Sequence, residues 1–472
     1  MPAKPERSVR LLPGAVAALL LTGYASTLWI FYPGVMTFDA KFVHEYIAKG
    51  FYGDWQSPVM TWLWGLIDPI APGSGSMFLL IATSYWLGFA LPSFALAARG
   101  NRSALLLPFL ALMPPAFVFV GIIWRDVLFS AFWLVAAGLA FVVPERPSVA
   151  RLPAQLLALS LVAFGVLLRP NALLAAPILA AYAIWPDRFS LRRAVFIYVP
   201  AVIILFASVQ LVYYGMLGAT RQNPLQPIMI FDLGGITHFT KENQYPVEWS
   251  ETENAQLLNS CYQPTEWDIY WRLEPCQFVM QKIEHERGLF GTSAIPKAWL
   301  SAILRHPLAY LEHRSAFMWN FLGGSNLTMW IADVEHPSEN VFPGRVAFTA
   351  LVSLHDLLKP TPLFRAGSWL LLCMVLCWFA WRRGNTREGA FALGTCGSAV
   401  IYVMSYYLVG LASDFRYAYW AVLAGLAGAV LVAVPSGRPQ KSAKGSSTAS
   451  GPPAPMTRSM ICSRLRKPRA AS

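Results

Sequence analysis

Long apolar runs separated by short basic clusters set the rhythm of this chain. Runs close to the length that crosses a bilayer as a helix, about 17–25 residues, fall near 11–31, 76–98, 104–123, 126–143, 153–168, 171–186, 194–214, 366–381, 390–411 and 416–434. The pattern predicts an all-α polytopic membrane protein with about ten transmembrane helices. Pro114 and Pro115 interrupt the third run. It is expected to enter the membrane, unwind near the far face and reach the next helix through an irregular turn. Only Arg169-Pro170 separates the fifth run from the sixth, a tight reversal in which the proline is well placed to start the second helix. No internal repeat is visible.

Two stretches depart from the apolar rhythm, one from Tyr32 to about Gly75 and one from about Gly215 to Arg365. The second holds 15 of the 25 acids, and such a polar stretch reads as a folded extramembrane domain. Its apolar parts near 316–332 and 344–358 either lie on the membrane or form one extra hairpin within 316–358, which raises the helix count to twelve. The organisation expected is a transmembrane module over 1–214, a non-cytoplasmic soluble domain over 215–365, transmembrane helices over 366–434 and a disordered basic tail over 435–472. The N-terminal run continues through Leu28, Trp29, Ile30 and Phe31, longer than the apolar core of a signal peptide, so it is expected to remain as an anchor.

Composition and charge orient this scheme. Charged residues make up 13% of the 472, against about 25% in soluble domains, too few to cover a water-facing surface. The 18 Trp, 18 Tyr and 29 Phe suit a chain that meets the membrane–water interface many times. The net charge of +12 sits in short clusters between apolar runs rather than in a stripe on a soluble domain, which argues against nucleic acid as a partner. With the N-terminus in the cytoplasm, the inside groups are Lys4/Arg7/Arg10, Arg99/Arg102, Arg146/Arg151, Arg188/Arg192/Arg193, Arg382/Arg383/Arg387 and the tail. They hold more than half of the 37 basic residues and only four acids, Glu6, Glu145, Asp187 and Glu388. Every short inside loop is then basic, as the positive-inside rule requires. A multi-pass protein of a cytoplasmic (inner) membrane follows, with both termini cytoplasmic.

Of the six Cys, Cys373, Cys377 and Cys396 lie in predicted membrane helices and Cys462 in the tail. Cys261 and Cys276 share the outside domain, where an oxidising compartment permits a disulfide; spacing alone leaves open whether they pair. Neither a CxxC pair nor an HExxH array is present, so nothing points to structural zinc or a zinc protease.

Ionisable residues at the mouths of membrane helices are costly to desolvate and are default candidates for function. On the predicted outside face these are Asp39, Asp54 with Gln56, Arg125-Asp126, Arg169-Pro170-Asn171 and Asp414 with Arg416. Each has an ordinary structural alternative. Asp39 could cap its loop, Asp126 could be the N-cap of the fourth helix, and the arginines could pair with acids or reach lipid headgroups. His44 and Glu45 read as a solvated loop face. His306, His313 and Arg314 read as an interfacial amphipathic helix, and Asn326-Leu327-Thr328 as a chance glycosylation triplet.

The placement of these residues resembles the GT-C superfamily of integral-membrane glycosyltransferases, which includes the protein O-mannosyltransferases and the aminoarabinose transferase of lipid A. The resemblance covers about 1–215 and, more loosely, 360–434. Asp39 stands where the family has an acid soon after the first helix, and Asp126 where it has a second at the start of the fourth. Asp39 is followed by Ala40 where many members carry a second acid. Gln56-Ser57-Pro58 stands where members often have a His before the Pro. The resemblance implies a polyprenyl-phosphate-linked sugar donor, a cell-envelope glycan, lipid or protein acceptor, and Asp39 and Asp126 as the catalytic acids, with Asp39 as general base. It implies Arg125, Arg169 and Arg416 as holders of the lipid-linked phosphate, with Asp54 and Gln56 in the substrate site. Physical chemistry supports the same roles: a carboxylate can take the acceptor proton and a planar guanidinium can bind two phosphate oxygens. Asp39 and Asp126 could also share a divalent cation. A membrane transporter, or an envelope polysaccharide polymerase or ligase, are the alternatives; transport is disfavoured because the ionisable residues gather at one face rather than at the midplane.

Overall fold

A computed structural model describes residues 7–143, 149–187, 189–323, 342–383 and 386–435. The tail from 436 with Cys462, the Asn326-Leu327-Thr328 triplet and part of the 316–358 stretch lie outside the described residues. The architecture is all-α. Among the described residues, β-pairing is limited to three single bridges: Val35 with Ile122, Gly53 with Thr220, and Glu266 with Ala412.

The first half contains α1 (Arg7–Phe31), α2 (Phe38–Lys49), α3 (Pro58–Ile67), α4 (Gly75–Ala98), α5 (Leu106–Leu110), α6 (Pro114–Phe117), α7 (Arg125–Val142), α8 (Arg151–Leu168), α9 (Ala176–Ile184) and α10 (Leu191–Gln210). The last part contains α17 (Ala366–Arg382), α18 (Arg387–Val409) and α19 (Tyr419–Ala433). Among the described residues, seven helices are long and apolar enough to cross a membrane: Leu11–Phe31, Gly75–Ala98, Arg125–Val142, Arg151–Leu168, Leu191–Met216, Arg387–Val409 and Phe415–Ala433; Ala366–Arg382 is apolar but shorter. The remaining two expected runs are broken helices. Proline is the reason in both, because it lacks the N–H that a helix interior needs and clashes with the preceding turn. Pro114 and Pro115 start α6 as a separate turn. Pro170 does not start the expected continuous helix: it opens a 3-10 turn over Pro170–Leu174, and α9 begins only at Ala176, with Pro177 in its first turn.

α7 is central, packed against α4 and α8 and touching α18 and α19. Most of α7 and α19 is buried by protein, 83% in each span, whereas α10 and its continuation are 6% buried and face outward. The charge clusters sort to the two ends of this bundle. At one end Arg99 pairs with Glu388 at 2.7 Å, Arg387 and Arg151 both reach Asp187, and Arg387 donates to the Val143 carbonyl. Those are residues grouped from the sequence on one side of the membrane. The opposite ends of α7, α8 and α18 carry Asp126, Arg169 and Tyr406.

The polar stretch folds onto that second end as α11 (Gln226–Thr240), α12 (Glu251–Asn259), α13 (Phe278–Met280), α14 (Ala294–Arg305), α15 (Pro307–Gly323) and α16 (Arg345–Leu358). A capping box between Ser250 and Glu253 starts α12, and Cys261 and Cys276 form a disulfide. One expectation is corrected here. His313 and Arg314 do not lie on an interfacial face of α15: both are fully buried, with Arg314 Nε 2.7 Å and His313 Nε2 3.4 Å from Asp232 Oδ1 on α11. Charge on α15 read as an interfacial face in sequence because its partner acid, Asp232, is about 80 residues away. Gly235 makes the approach possible, since a Cβ there would sit 2.1 Å from the His313 ring.

Candidate active site

The first loop is drawn toward α7 by the backbone. After α1, a turn through Gly34 (φ +101°) delivers Val35, whose N–H donates to Gly121 O at 2.8 Å while its carbonyl accepts from Ile123 N at 3.1 Å. The Trp124 indole N–H then donates to Thr37 Oγ1 at 2.8 Å. These ties set Asp39, in the first turn of α2, beside Arg125 and Asp126, in the first turn of α7. Asp39, Gln56, Trp124, Arg125 and Asp126 line one small crevice.

Two carboxylate–guanidinium pairs organise the crevice. Asp39 Oδ2 lies 2.8 Å from Arg416 Nη1, and its Oδ1 accepts from Gln56 Nε2 at 3.1 Å. Burial raises the Asp39 pKa, but the guanidinium of Arg416, with Arg125 and Arg169 behind it, outweighs that and holds the carboxyl below its ordinary value. The side chain of Asp39 keeps 36% of its surface open, so an approaching hydroxyl can reach it. Arg416 is itself steered by Asp414, whose Oδ1 accepts from the Arg416 amide at 3.0 Å and whose Oδ2 lies 2.9 Å from its Nε. The guanidinium lies 4.5 Å over the Trp124 ring. Burial pushes the Asp414 carboxyl up to about 6 in spite of Arg416.

The second pair is closed to solvent. Asp126 Oδ1 lies 2.8 Å from Arg169 Nε, and both side chains are buried. Asp126 is therefore not the N-cap of α7; that place is taken by Trp124, without a side-chain cap. Arg169 Nη2 donates to the Tyr406 hydroxyl at 3.2 Å, Asn171 Nδ2 donates to the same oxygen at 2.8 Å, and the Tyr417 ring lies 4.8 Å below the guanidinium. Arg125 differs from its neighbours. It makes no ion pair among the described residues, and its Nη1 reaches only the Trp55 carbonyl, at 3.5 Å.

Beside the crevice opens a cavity of about 440 Å³. Arg125, Arg169, Asn171, Tyr406 and Tyr417 form its polar wall; Phe206 and Val209 of outward-facing α10, with Leu173 and Leu174, form an apolar one. Arg125 lines both spaces. Asp54 is on the cavity wall too, but its oxygens accept from Tyr214 OH at 2.7 Å and Gln222 N at 2.5 Å, which tie the first loop to the chain after α10.

Asp39, Gln56, Arg125, Asp126, Arg169 and Arg416 are thus brought together, with Asp54 at the rim. Tyr406 and Gln222 were not singled out from the sequence. Tyrosines near membrane helix ends are expected as interfacial anchors, and only the packing of α18 against the Arg169 turn gives Tyr406 its contacts. No group of three or more His, Cys, Asp and Glu that could hold a metal occurs among the described residues. Asp39 and Asp126 are a poor cation site as they stand, each paired with a guanidinium and sharing the crevice with Arg125.

No family model and no curated relative matches the chain. Among solved structures it is similar to the oligosaccharyltransferase of Archaeoglobus fulgidus with a tethered acceptor peptide (11% identity, TM-score 0.35, 88% of this chain and 49% of that one). It is similar to the same organism's oligosaccharyltransferase AglB in complex with an inhibitory peptide and a dolichol-phosphate (10%, 0.37, 88% and 50%). A further similarity is to ArnT from Cupriavidus metallidurans bound to undecaprenyl phosphate (15%, 0.31, 84% and 77%). The chain spans about half the length of the archaeal enzyme. Likeness at these values assigns neither a fold nor an activity to this chain.

Proposed function

We propose that the chain is a GT-C-type glycosyltransferase. It takes a sugar from a polyprenyl-phosphate-linked donor and passes it to a cell-envelope glycan, lipid or protein at the outer face of the cytoplasmic membrane. One observation carries the reading: Arg125, unpaired with any acid among the described residues, lines both the Asp39 crevice and a cavity with one apolar wall. A donor of this class has an apolar tail, an anionic phosphate and a sugar, and those three environments adjoin in that order.

In this mechanism the acceptor oxygen attacks the anomeric carbon while the bond from that carbon to the phosphate oxygen breaks. The acceptor proton goes to Asp39, and the electron pair leaves with the polyprenyl phosphate. Arg125 and Arg169 meet the charge that develops there, where fixed donors in a site sheltered from water stabilise it most. Asp126 acts through Arg169, holding its Nε so that the remaining guanidinium faces the cavity. Gln56 and Arg416 hold the two Asp39 oxygens. The residues from 215 to 365 would shape the acceptor side. Direct displacement inverts the anomeric centre, and a product that keeps the donor configuration would overturn that part.

The test compares envelope lipids and glycans by mass spectrometry in cells lacking the gene, complemented with wild type or Asp39→Asn at equal membrane levels. A single-sugar mass difference restored by wild type alone is expected, with transfer by the variant reduced about 10²–10⁴-fold. Full restoration by Asp39→Asn makes Asp39 a structural loop residue, and a deletion without any glycan change points to transport.

A further inference from the structure

Arg416 reaches Asp39 from a short segment that is gripped by residues far from the crevice. Gly410–Ser413 joins the end of α18 to the turn at Phe415. Gly410 O accepts from Arg314 Nη1 at 2.6 Å, Leu411 O accepts from Trp267 N at 2.9 Å, and Ser413 N donates to Thr265 O at 2.6 Å. Glu266 and Ala412 complete an antiparallel bridge there. Thr265, Glu266 and Trp267 belong to the loop closed by the Cys261–Cys276 disulfide.

We infer that this disulfide-closed loop and Arg314 are positioning elements that set the Arg416 guanidinium, and through it the Asp39 carboxylate. The connection has little slack. Ser413 precedes Asp414, whose oxygens hold both the amide and the Nε of Arg416, and Arg416 Nη1 meets Asp39 at 2.8 Å. On the other side Phe415 is fixed in the core, with ring centroids 5.7 Å from Phe119 and 5.4 Å from Phe364. The segment is thus held between the bundle and the polar helices.

Arg314 needs an explanation of its own, because a fully buried ion pair is weak evidence for stability and is frequently replaceable by apolar residues. Asp232 aims it: Oδ1 lies 2.7 Å from Arg314 Nε in an ion pair, and Oδ2 accepts from the Trp299 indole N–H at 2.7 Å. The fork that remains points at Gly410. A planar guanidinium can satisfy a carboxylate and a carbonyl together, which a lysine at the same place cannot do with fixed geometry. The consequence for sugar transfer rests on the function proposed above; the effect on Asp39 does not.

The groups facing Asp39 are Arg416, Arg125 and Arg169, the acids Asp126 and Asp414 beyond them, and the neutral Gln56. If the clamp loosens, Arg416 moves from Asp39 and the carboxyl becomes easier to protonate. Carbodiimide with an amine nucleophile labels protonated, accessible carboxyls, and peptide mass spectrometry reads the rate at Asp39 without reference to any activity. The full-length protein in detergent would be compared with Arg314→Lys, Cys261→Ser/Cys276→Ser and the control Glu312→Gln on the exposed face of α15. Faster labelling of Asp39 is expected in the first two and not the control. The gain should be about tenfold for each pKa unit by which Asp39 rises while still mainly ionised. Wild-type labelling rates in folded variants would overturn the inference. Should the variants fail to fold, a phosphine reductant applied to folded wild type serves instead, with both thiols verified free; an unchanged Asp39 rate then overturns it equally. Transfer assayed in parallel separates the two ideas. Faster labelling with no transfer even by wild type keeps the clamp and removes the glycosyltransferase, whereas transfer with unchanged labelling does the reverse.

Discussion

At the scale of single residues, the arrangement turns on which carboxylate is left reachable. Asp126 is buried on Arg169, while Asp39 is held from one side by Arg416 and Gln56 and keeps an open edge. The sign of the Asp39 shift has a measurable consequence. Its pKa lies below the ordinary value near 3.9, so it stays ionised, and able to accept a proton, down through the range where a free carboxylate titrates. The acid limb of the transfer rate that belongs to Asp39 should therefore fall below that range. Arg416→Gln removes the principal cation and leaves burial opposed only by Arg125 and Arg169, so that limb moves upward. A limb that stays in place would separate Asp39 from the titrating base.

At the scale of elements, the Asp126–Arg169 pair depends on how closely α8 lies against α7. Small residues let membrane helices approach, and Gly165 is the decisive one: a Cβ there would sit 2.2 Å from the Trp133 indole nitrogen. Trp133 crosses into that space and donates to Val162 O at 3.1 Å. Gly165→Leu should displace α8, weaken the 2.8 Å contact between Asp126 and Arg169 and reduce stability by about 1–3 kcal/mol, the usual range for overpacking. Gly14→Leu on α1, where nothing lies within 4 Å, should change neither. Thermal unfolding in detergent, paired with the transfer assay, compares them. The seven continuous spans were legible in the sequence because an apolar run of sufficient length has few alternatives to a membrane helix. The break at Pro114-Pro115 and the reversal at Arg169-Pro170 were legible because a missing N–H acts locally, whereas the 3-10 turn that delays α9 to Ala176 was not.

At the scale of the whole molecule, the bundle has two chemically different ends. Arg99, Arg151, Asp187, Arg387 and Glu388 meet at one, and Asp39, Arg125, Asp126, Arg169 and Arg416 at the other. The basic end is expected in the cytoplasm. A cysteine introduced at Arg102 should then react with an impermeant maleimide only after the membrane is opened, and one at Glu286 should react in intact cells. The reverse pattern would place the crevice on the cytoplasmic side and rule out transfer at the outer face.

The sequence by itself determined the membrane class, the two-sidedness of the charge and the candidate acids and arginines, because hydropathy, helix breaking and loop charge are properties of short stretches. It could not determine partnership. Arg416 is 377 positions from Asp39, and which guanidinium meets which carboxylate depends on the order in which helices pack. The same limit explains α15, whose His313 and Arg314 read as an interfacial face until Asp232 on another helix supplied the buried counter-charge. It also explains Arg125, which differs from Arg169 and Arg416 only in what the folded chain leaves unpaired beside it. Local energetics fixed the elements; only tertiary packing decided which charges were neutralised and which stayed open to a substrate.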